Sequence, residues 1–411
     1  MFNFHIIKTK IRAAMRSHPQ RVYLLVLLLD LLALAANQLA IHSSTFADAY
    51  SQYVYRVLSL GIGSVMGLLP FSVVELLLYA TILFVLFDFV KQLCRALRVG
   101  ATCVHSEHVS QDAQTHLLAA VARPLRHFLG HLFLILSALL VLYVFLCGIN
   151  YHRTSFSEEA GLSVTLDEHG TVYDEADLIA LCDYLVTEMN DTEAQLDVPY
   201  IGQTAETPKP SAAWLWHAGR TGQRAMEKLG ERYRRLSGHY PYPKPILNTW
   251  ILSVQQTTGV YSPFTVEANY NRDIAYYDIP FTICHELSHL RGYMQEEEAN
   301  FIGVLATIGA DDLYFNYSGY VSAWVYAGNA LARIDSTAFA TLYARINART
   351  RQDMLYNNAY WKHFEGKPAE AHEQLNDAYL KIQGQATGVR SYGHVTDLML
   401  EYFAKNGTLT Q

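Results

Sequence analysis

The chain has 411 residues, of which 51% are hydrophobic and 17% charged, and its formal net charge is −7. A negative charge argues against nucleic acid as the main partner. Mean hydropathy is only +0.07, but long apolar runs lie before residue 150, and a composition typical of a globular domain follows. We therefore predict a membrane domain over 1–150 and a second domain over 151–411.

Three apolar segments of the first domain are each about the 20 residues that a helix needs to cross the hydrocarbon core of a bilayer. They cover about residues 22–41, 71–90 and 128–148. The stretch 50–69 is apolar but rich in glycine and serine, and we predict an amphipathic or re-entrant helix there. Asp30 lies near the middle of the first span, which makes it a functional candidate. Glu75 and Asp88 lie near the ends of the second span, where an interfacial position is the simpler interpretation.

Basic residues predict the orientation of these spans. The first span is preceded by Lys8, Lys10, Arg12, Arg16 and Arg21. Five more basic residues lie in the loop 91–127, whereas the loop between the first two spans contains only Arg56. No small-residue cleavage site ends the first span, which favours a retained anchor over a signal peptide. We predict a multi-pass protein with a cytoplasmic amino terminus and an extracytoplasmic domain after residue 150.

Helical periodicity dominates the second domain, with a short β-rich interval near its middle. We predict helices over 174–190, 211–237, 298–309, 318–334, 336–362, 366–382 and 395–403. The β-branched and aromatic segments 246–254 and 259–270 predict strands. A short sheet of this kind can pair with an extended peptide along its edge strand.

The residues from His285 to His289 have the pattern His-Glu-x-x-His, the zinc-binding and base-supplying unit of many metallopeptidases. On a helix, His285 and His289 leave the same face and can share one metal ion. Glu286 is then close enough to take a proton from a water molecule. Two neutral imidazoles and a carboxylate suit zinc, with a fourth position open for water. The pattern also occurs by chance, so the flanking residues decide its meaning.

The third ligand has to come from a separate helix. On an unbroken helix Glu296 would lie roughly 10 Å beyond His289, whereas zinc–ligand bonds are about 2 Å long. Gly292 can end the first helix, because glycine accepts the left-handed conformation that commonly closes one. A second helix that starts near Glu296 can then fold back against the first, with Glu296 facing the metal.

The segment Glu296-x-x-Ala-Asn resembles the glutamate helix of the gluzincin metallopeptidases, in which Glu-x-x-(Ser/Ala)-(Asp/Asn) carries the third ligand. This resemblance implies Glu296, rather than Glu297 or Glu298, as the ligand. The metzincins share His-Glu-x-x-His-x-x-Gly, but their third histidine would fall at Gln295, and glutamine is a poor zinc ligand. Asn300 could hydrogen-bond to a ligand histidine and orient it.

A tyrosine or histidine should also stabilise the oxyanion that forms when water attacks a carbonyl. Four residues are candidates, and the sequence does not select among them. They are Tyr317, Tyr320, Tyr392 and His394.

A resemblance to a single family covers nearly the whole chain. The family is DUF3810, a bacterial membrane family of unknown function. The residues that carry the resemblance are Pro70-Phe71-Ser72, Pro280-Phe281-Thr282, Glu296-x-Glu298-Ala299-Asn300-Phe301, Asn376-Asp377-x-Tyr379-Leu380, Ser391-Tyr392-Gly393 and Asp397-Leu398. The resemblance implies a zinc metallopeptidase anchored in a bacterial cytoplasmic membrane, and it does not supply a substrate.

We therefore expect a mostly α-helical protein, with three transmembrane helices followed by a zincin-like α+β metallopeptidase domain that contains a small sheet. The expected activity is hydrolysis of peptide bonds, with a peptide or protein substrate, a zinc cofactor and the lipid bilayer as partners. Two alternatives stay open. One is a catalytically silent sensor or scaffold that retains the metal-binding fold, and the other is a zinc amidase that acts on cell-wall material.

Overall fold

The computed structural model describes residues 19–104, 111–162, 174–383 and 394–410. The helices in chain order are α1 (Pro19–His42), α2 (Ser44–Ala49), α3 (Arg56–Met66), α4 (Val73–Val104), α5 (Gln111–Leu146), α6 (Phe156–Glu159), α7 (Glu175–Ala194), α8 (Ala212–Arg232), α9 (Trp250–Ser253), α10 (Asp278–His289), α11 (Glu296–Ile308), α12 (Leu313–Ile334), α13 (Ser336–Arg345), α14 (Ala348–His363), α15 (Lys367–Ile382) and α16 (His394–Asn406). A π-helical turn (Tyr50–Tyr55) joins α2 to α3, and short 3₁₀ helices cover Gly148–His152 and Arg234–Leu236. The strands are β1 (Lys244–Pro245), β2 (Gly259–Ser262) and β3 (Glu267–Tyr270).

One compact unit is formed by the described parts of Met1–Leu39 and Val74–Phe145. In the part of the chain that the structure describes, three helices are long and apolar enough to cross a membrane, over Gln20–His42, Val73–Val99 and Ala120–His152. They confirm the three predicted spans and extend beyond most of their predicted ends, because flanking polar residues continue the same helices. The protein is therefore a membrane protein by the length and apolarity of these helices.

The acidic side chains of this unit have hydrogen-bond partners within it. Ser137 donates to Asp30 (2.8 Å), and His131 Nδ1 lies 2.8 Å from Asp88. Tyr79 donates to Glu75 (3.1 Å). These bonds offset part of the free-energy cost of placing carboxyl groups among apolar helices. They explain how the fold accommodates all three acidic residues.

The second unit contains Ala40–Val73 together with Leu146–Gln411. The segment 40–73, which the sequence boundary at residue 150 assigned to the membrane domain, is built into it. The buried Lys244 Nζ donates to the backbone carbonyl of Met66 (2.7 Å) and also bonds Glu267. Glu267 in turn accepts from the backbone N–H of Val73 (3.1 Å). A buried ion pair therefore binds this segment to the sheet.

The core of the second unit surrounds α10, which packs against α8, α11, α12 and β3. Ile283 and Leu287 on α10 and Phe301 on α11 are fully buried. A side chain at Gly222 of α8 would place its Cβ 2.4 Å from Ile283, so glycine allows α8 to lie this close to α10. Because α10 is surrounded on several sides, its side chains are held in fixed positions.

The sheet has the order β1-β3-β2, with β1 parallel and β2 antiparallel to β3. The predicted strand over 246–254 is wrong, since Trp250–Ser253 form α9, and Ser253 Oγ donates back to the carbonyl of Thr249 (3.0 Å). The predicted strand over 259–270 is a hairpin of β2 and β3. The helix predicted over 336–362 divides at Asn347, whose backbone N–H bonds the Asn190 side chain (2.9 Å).

Candidate metal centre

The sequence motif lies on α10, and a tight turn connects it to α11. The helix ends at His289, and Gly292 has a φ of +82°, in agreement with the predicted helix stop. The next helix begins at Glu296, as predicted. Three acidic residues in the first turn of α11 favour a helix start there, since they interact with the positive end of the helix dipole.

This turn brings three potential metal ligands together. One ligand atom each from His285, His289 and Glu296 lies within 4.8 Å of the others. His285 Nε2 is 3.3 Å from Glu296 Oε2, and the two imidazole rings are 4.9 Å apart and nearly perpendicular. The arrangement offers two nitrogen donors and one oxygen donor to a single point, which is what a metal site requires.

A backbone carbonyl orients His289. Its Nδ1 donates to the carbonyl oxygen of Tyr293 (2.6 Å). Nε2 is therefore the nitrogen available to the ligand cluster that His289 forms with His285 and Glu296. Burial and the adjacent charge of His285 lower the pKa of His289 to about 4. The imidazole is therefore neutral near pH 7, as a metal ligand must be.

Glu286 lies beside the cluster, with Oε1 4.0 Å from His285 Nε2. It is 4% exposed, and Oε2 has no hydrogen-bond partner among the described residues. Burial raises the pKa of Glu286 to about 8, opposed by the charge of His285 and reinforced by that of Glu296. A buried carboxyl group with a raised pKa is suited to gain and release a proton near neutral pH.

The other two potential ligands, His285 and Glu296, contact each other directly at 3.3 Å. Burial acts against the charged forms of both, but the hydrogen bond between them lowers the pKa of Glu296 and raises that of His285. Asn300 lies beside His285 and also raises its pKa. However, His285 Nδ1 and the Asn300 amide nitrogen have no full hydrogen bond within the described chain. The predicted orienting role of Asn300 stays a prediction.

The edge strand β2 approaches Glu286 directly, which sequence reasoning missed. A Cβ on Gly259 would lie 2.5 Å from Glu286 Oε1 and 2.7 Å from its Cγ. Asn271 donates to the carbonyl of Thr258, and Gly259 pairs with Tyr270. Because bonded and non-bonded pairs alternate in an antiparallel ladder, Gly259 and Tyr261 direct their backbone groups away from β3. The Tyr261 backbone N–H lies close enough to Glu286 to lower the pKa of its carboxyl group.

The predicted oxyanion-stabilising residues do not lie together at this cluster. The hydroxyl of Tyr317 donates to Asp353 (2.7 Å), and that of Tyr320 donates to Glu188 (3.4 Å). His394 begins α16 and is not a member of the ligand cluster. The last of the four, Tyr392, lies outside the described residues.

A different tyrosine lies near the cluster. Burial and the charges of Asp278 and Glu296 raise the pKa of Tyr326 on α12, and its ring packs against Phe281 (6.2 Å between centroids). Phe281 in turn lies 6.3 Å from His285. No sequence signal distinguished Tyr326 from the other tyrosines of α12, because only the packing of α12 on α10 brings it here.

Comparison with known proteins identifies a family for this chain. No curated protein and no solved structure matches the chain. A family model described as "Protein of unknown function (DUF3810)" matches residues 50–400. This match includes the segment 50–73, the sheet, the ligand cluster and most of α16. The chain therefore belongs to the DUF3810 family.

Proposed function

We propose that this protein is a membrane-anchored zinc-dependent metallopeptidase, with His285, His289 and Glu296 as the zinc ligands. The observation that carries the proposal is the convergence of these three side chains within 4.8 Å, with Glu286 beside them. Two ligands of a tetrahedral zinc, each about 2 Å from the ion, lie about 3.3 Å apart. The distance from His285 Nε2 to Glu296 Oε2 is 3.3 Å, so this pair of donors fits zinc in spacing, and the three residues together fit it in chemistry.

Zinc, when bound, would activate a water molecule and polarise the carbonyl that the water attacks. The protein's own residues would handle the proton. Glu286 would accept it at a carboxylate oxygen and later donate it to the leaving amine. Burial supports this role because it raises the proton affinity of Glu286. The backbone N–H of Tyr261 also lies close to this carboxylate and favours its charged form.

The edge of β2 supports a peptide as the substrate. Among the described residues no strand lies beyond β2, and the backbone groups of Gly259 and Tyr261 are directed to that side. An extended peptide could pair with this edge and bring its scissile carbonyl to Glu286. We assign the oxyanion-stabilising role to Tyr326, whose hydroxyl is close enough to Glu296 to be affected by its charge.

The zinc content and peptidase activity of the full-length protein in detergent test the proposal. Glu286→Gln should retain about one zinc per chain and lose at least about 100-fold of the rate, since the general base contributes on that order. Glu231→Gln, at an exposed position on α8, serves as the matched control and should keep both. Hydrolysis retained in Glu286→Gln would rule out the mechanism.

Two further outcomes would replace the proposal with one of its alternatives. A wild-type protein that holds no zinc under zinc-replete conditions would indicate a silent scaffold. Release of new amines from cell-wall material, but not from a peptide mixture, would indicate an amidase that uses the same residues.

A further inference from the structure

A second polar site lies in the same unit, between residues 48–59 and the turn that follows α10. It is a small cavity that is partly open to solvent. Four arginines line it, from four separate segments of the chain: Arg56, Arg153, Arg235 and Arg291. Arginine is the residue best suited to bind planar or tetrahedral oxyanions, because its guanidinium group offers several N–H donors in a rigid fork.

Two of the four arginines are neutralised by acids. Arg235 pairs with Asp48 (3.0 Å) and Glu159 (2.6 Å). Arg153 pairs with the same oxygen of Glu159 (2.9 Å). These acids are also used by other donors, since Thr154 bonds Asp48 and Tyr293 bonds Glu159. The two acids therefore balance the charge of two arginines, which leaves the charge of the remaining two unbalanced.

Arg56 and Arg291 have only neutral partners in the described part of the chain. Arg56 donates to the carbonyl and hydroxyl oxygens of Ser237 (2.9 and 3.1 Å). Arg291 donates to the carbonyl of His239 (2.7 Å). Their Nη2 atoms lie 3.3 and 3.5 Å from the point that a Cβ on Gly238 would occupy, so two positive groups without a counter-charge converge there.

Placing these two positive charges close together is energetically unfavourable without an anion. Arg291 is 5% exposed, and its Nε, like that of Arg153, is buried without a hydrogen-bond partner among the described residues. Burial and the charge of Arg291 lower the pKa of Arg56. The Arg291 guanidinium is held over the Tyr240 ring at 3.9 Å, so it cannot easily turn away. A bound anion would offset the repulsion and the unpaired donors together.

We propose that this cavity binds a phosphate group, with Arg56 and Arg291 as its main ligands. A phosphate carries up to two negative charges and several acceptor oxygens, which match two unpaired guanidinium groups better than one carboxylate would. The phosphate could belong to a lipid head group or be free inorganic phosphate. The segment that carries Arg56 connects two of the membrane-spanning helices, α1 and α4, so it begins and ends where the chain leaves the membrane.

The site also contacts the end of the helix that carries the metal ligands. Tyr55, which lines the cavity, donates to the backbone carbonyl of His289 (3.0 Å). Arg291 is only two residues further along the chain. A bound phosphate would therefore stabilise the turn between α10 and α11.

Site-specific arginine modification of the full-length wild-type protein tests the proposal. Phenylglyoxal modifies accessible arginines, and mass spectrometry follows each residue. One arm adds inorganic phosphate to protein in detergent, and the other uses nanodiscs with or without phosphatidic acid. Modification of Arg56 and Arg235 should slow on the order of fivefold when the site is mostly occupied. The exposed Arg333 on α12 should be unaffected.

The two arms distinguish the sources of the phosphate. Protection by inorganic phosphate supports a site for the free anion, and protection by phosphatidic acid alone supports a lipid head group. Equal modification rates of Arg56 under all conditions would overturn the proposal. As a second test, phosphate should raise the melting temperature of the wild type and of Arg333→Gln but not of Arg56→Gln, and Arg56→Lys should recover part of the shift. An undiminished shift in Arg56→Gln would also overturn it.

Discussion

At the scale of single residues, the position of the Glu286 carboxylate requires that residue 259 have no side chain. The carboxylate occupies the space that a side chain at position 259 would need, with Oε1 only 2.5 Å from the Cβ position. The Glu-x-x-His spacing places Glu286 near the ligands. The absence of a side chain at Gly259 on β2 then leaves the space in which the Glu286 carboxylate oxygens lie. A general base must be held within hydrogen-bond reach of its proton, so this contact bears directly on rate.

Gly259→Ala should therefore displace the Glu286 carboxylate and lower the hydrolytic rate on the order of tenfold or more, because small displacements of catalytic groups are costly. Zinc content should stay at the wild-type level, since no ligand is touched. The control is Gly61→Ala on α3, where a Cβ would meet nothing within 4 Å. Equal rates for the two variants would contradict the expected contact.

Asp397 on α16 provides a pH-dependent prediction about stability. Burial raises its pKa from 3.8 to about 6. The folded state thus binds more protons than the unfolded state between these values, and stability falls as the pH rises through this window. Asp397→Asn should raise the free energy of unfolding above pH 6 by on the order of 1 kcal/mol, after allowance for solvent screening.

Thermal unfolding at a series of pH values measures this effect. The gain in Asp397→Asn should shrink towards pH 4, where the wild-type carboxyl group is protonated in the folded state. Asp191→Asn changes an exposed acid of α7 and should show no such trend. A gain that is independent of pH would show that burial of the charge is not its cause.

At the scale of elements, the turn between α10 and α11 determines whether the third ligand reaches the other two. Gly292 adopts a φ of +82°, and a Cβ there would lie 3.1 Å from both Asn150 Oδ1 and Ser51 Oγ. Both the backbone conformation and the surrounding side chains thus favour glycine at this position. The turn was predictable because its requirement is local.

Gly292→Ala should lower the free energy of unfolding by about 1–2 kcal/mol through the left-handed backbone conformation. It should also weaken zinc binding, because α11 and Glu296 would move relative to α10. Gly407→Ala is the matched control, since its φ is +72° and a Cβ there would meet nothing within 4 Å. We expect a similar loss of stability and no change in zinc affinity for that variant. Unchanged zinc affinity in Gly292→Ala would show that the conformation of this turn does not affect zinc binding.

The errors in the predicted elements are explained by specific hydrogen bonds. The segment 246–254 has the composition of a strand, but hydrogen bonds from Ser253 and Thr249 stabilise a short helix. The break at Asn347 depends on Asn190, 157 positions away in the sequence. Propensity reports only neighbouring residues, so partners of this kind are outside its reach.

At the scale of the whole molecule, the predicted orientation places the metal centre outside the cytoplasm. A chelator that does not cross membranes, such as EDTA, should then abolish hydrolysis of a membrane-permeant peptide in right-side-out membrane vesicles and leave it intact in inside-out vesicles. Removal of a catalytic metal should cost at least about tenfold in rate. The Glu286→Gln variant provides the background rate in both preparations. Loss of activity only in the inside-out vesicles would reverse the orientation.

The sequence by itself determined the three membrane helices, the helix stop at Gly292 and the grouping of His285, His289 and Glu296 as potential ligands. Each depends on residues near one another in the chain, where helix geometry and hydropathy are informative, although the choice of Glu296 over Glu297 and Glu298 came from a family resemblance. Only the tertiary structure decided that the segment 40–73 belongs to the second unit and that β2 lies against Glu286. It also decided which tyrosine lies near the cluster and that four arginines converge. These features arise from contacts between distant segments, and no local spacing encodes such contacts.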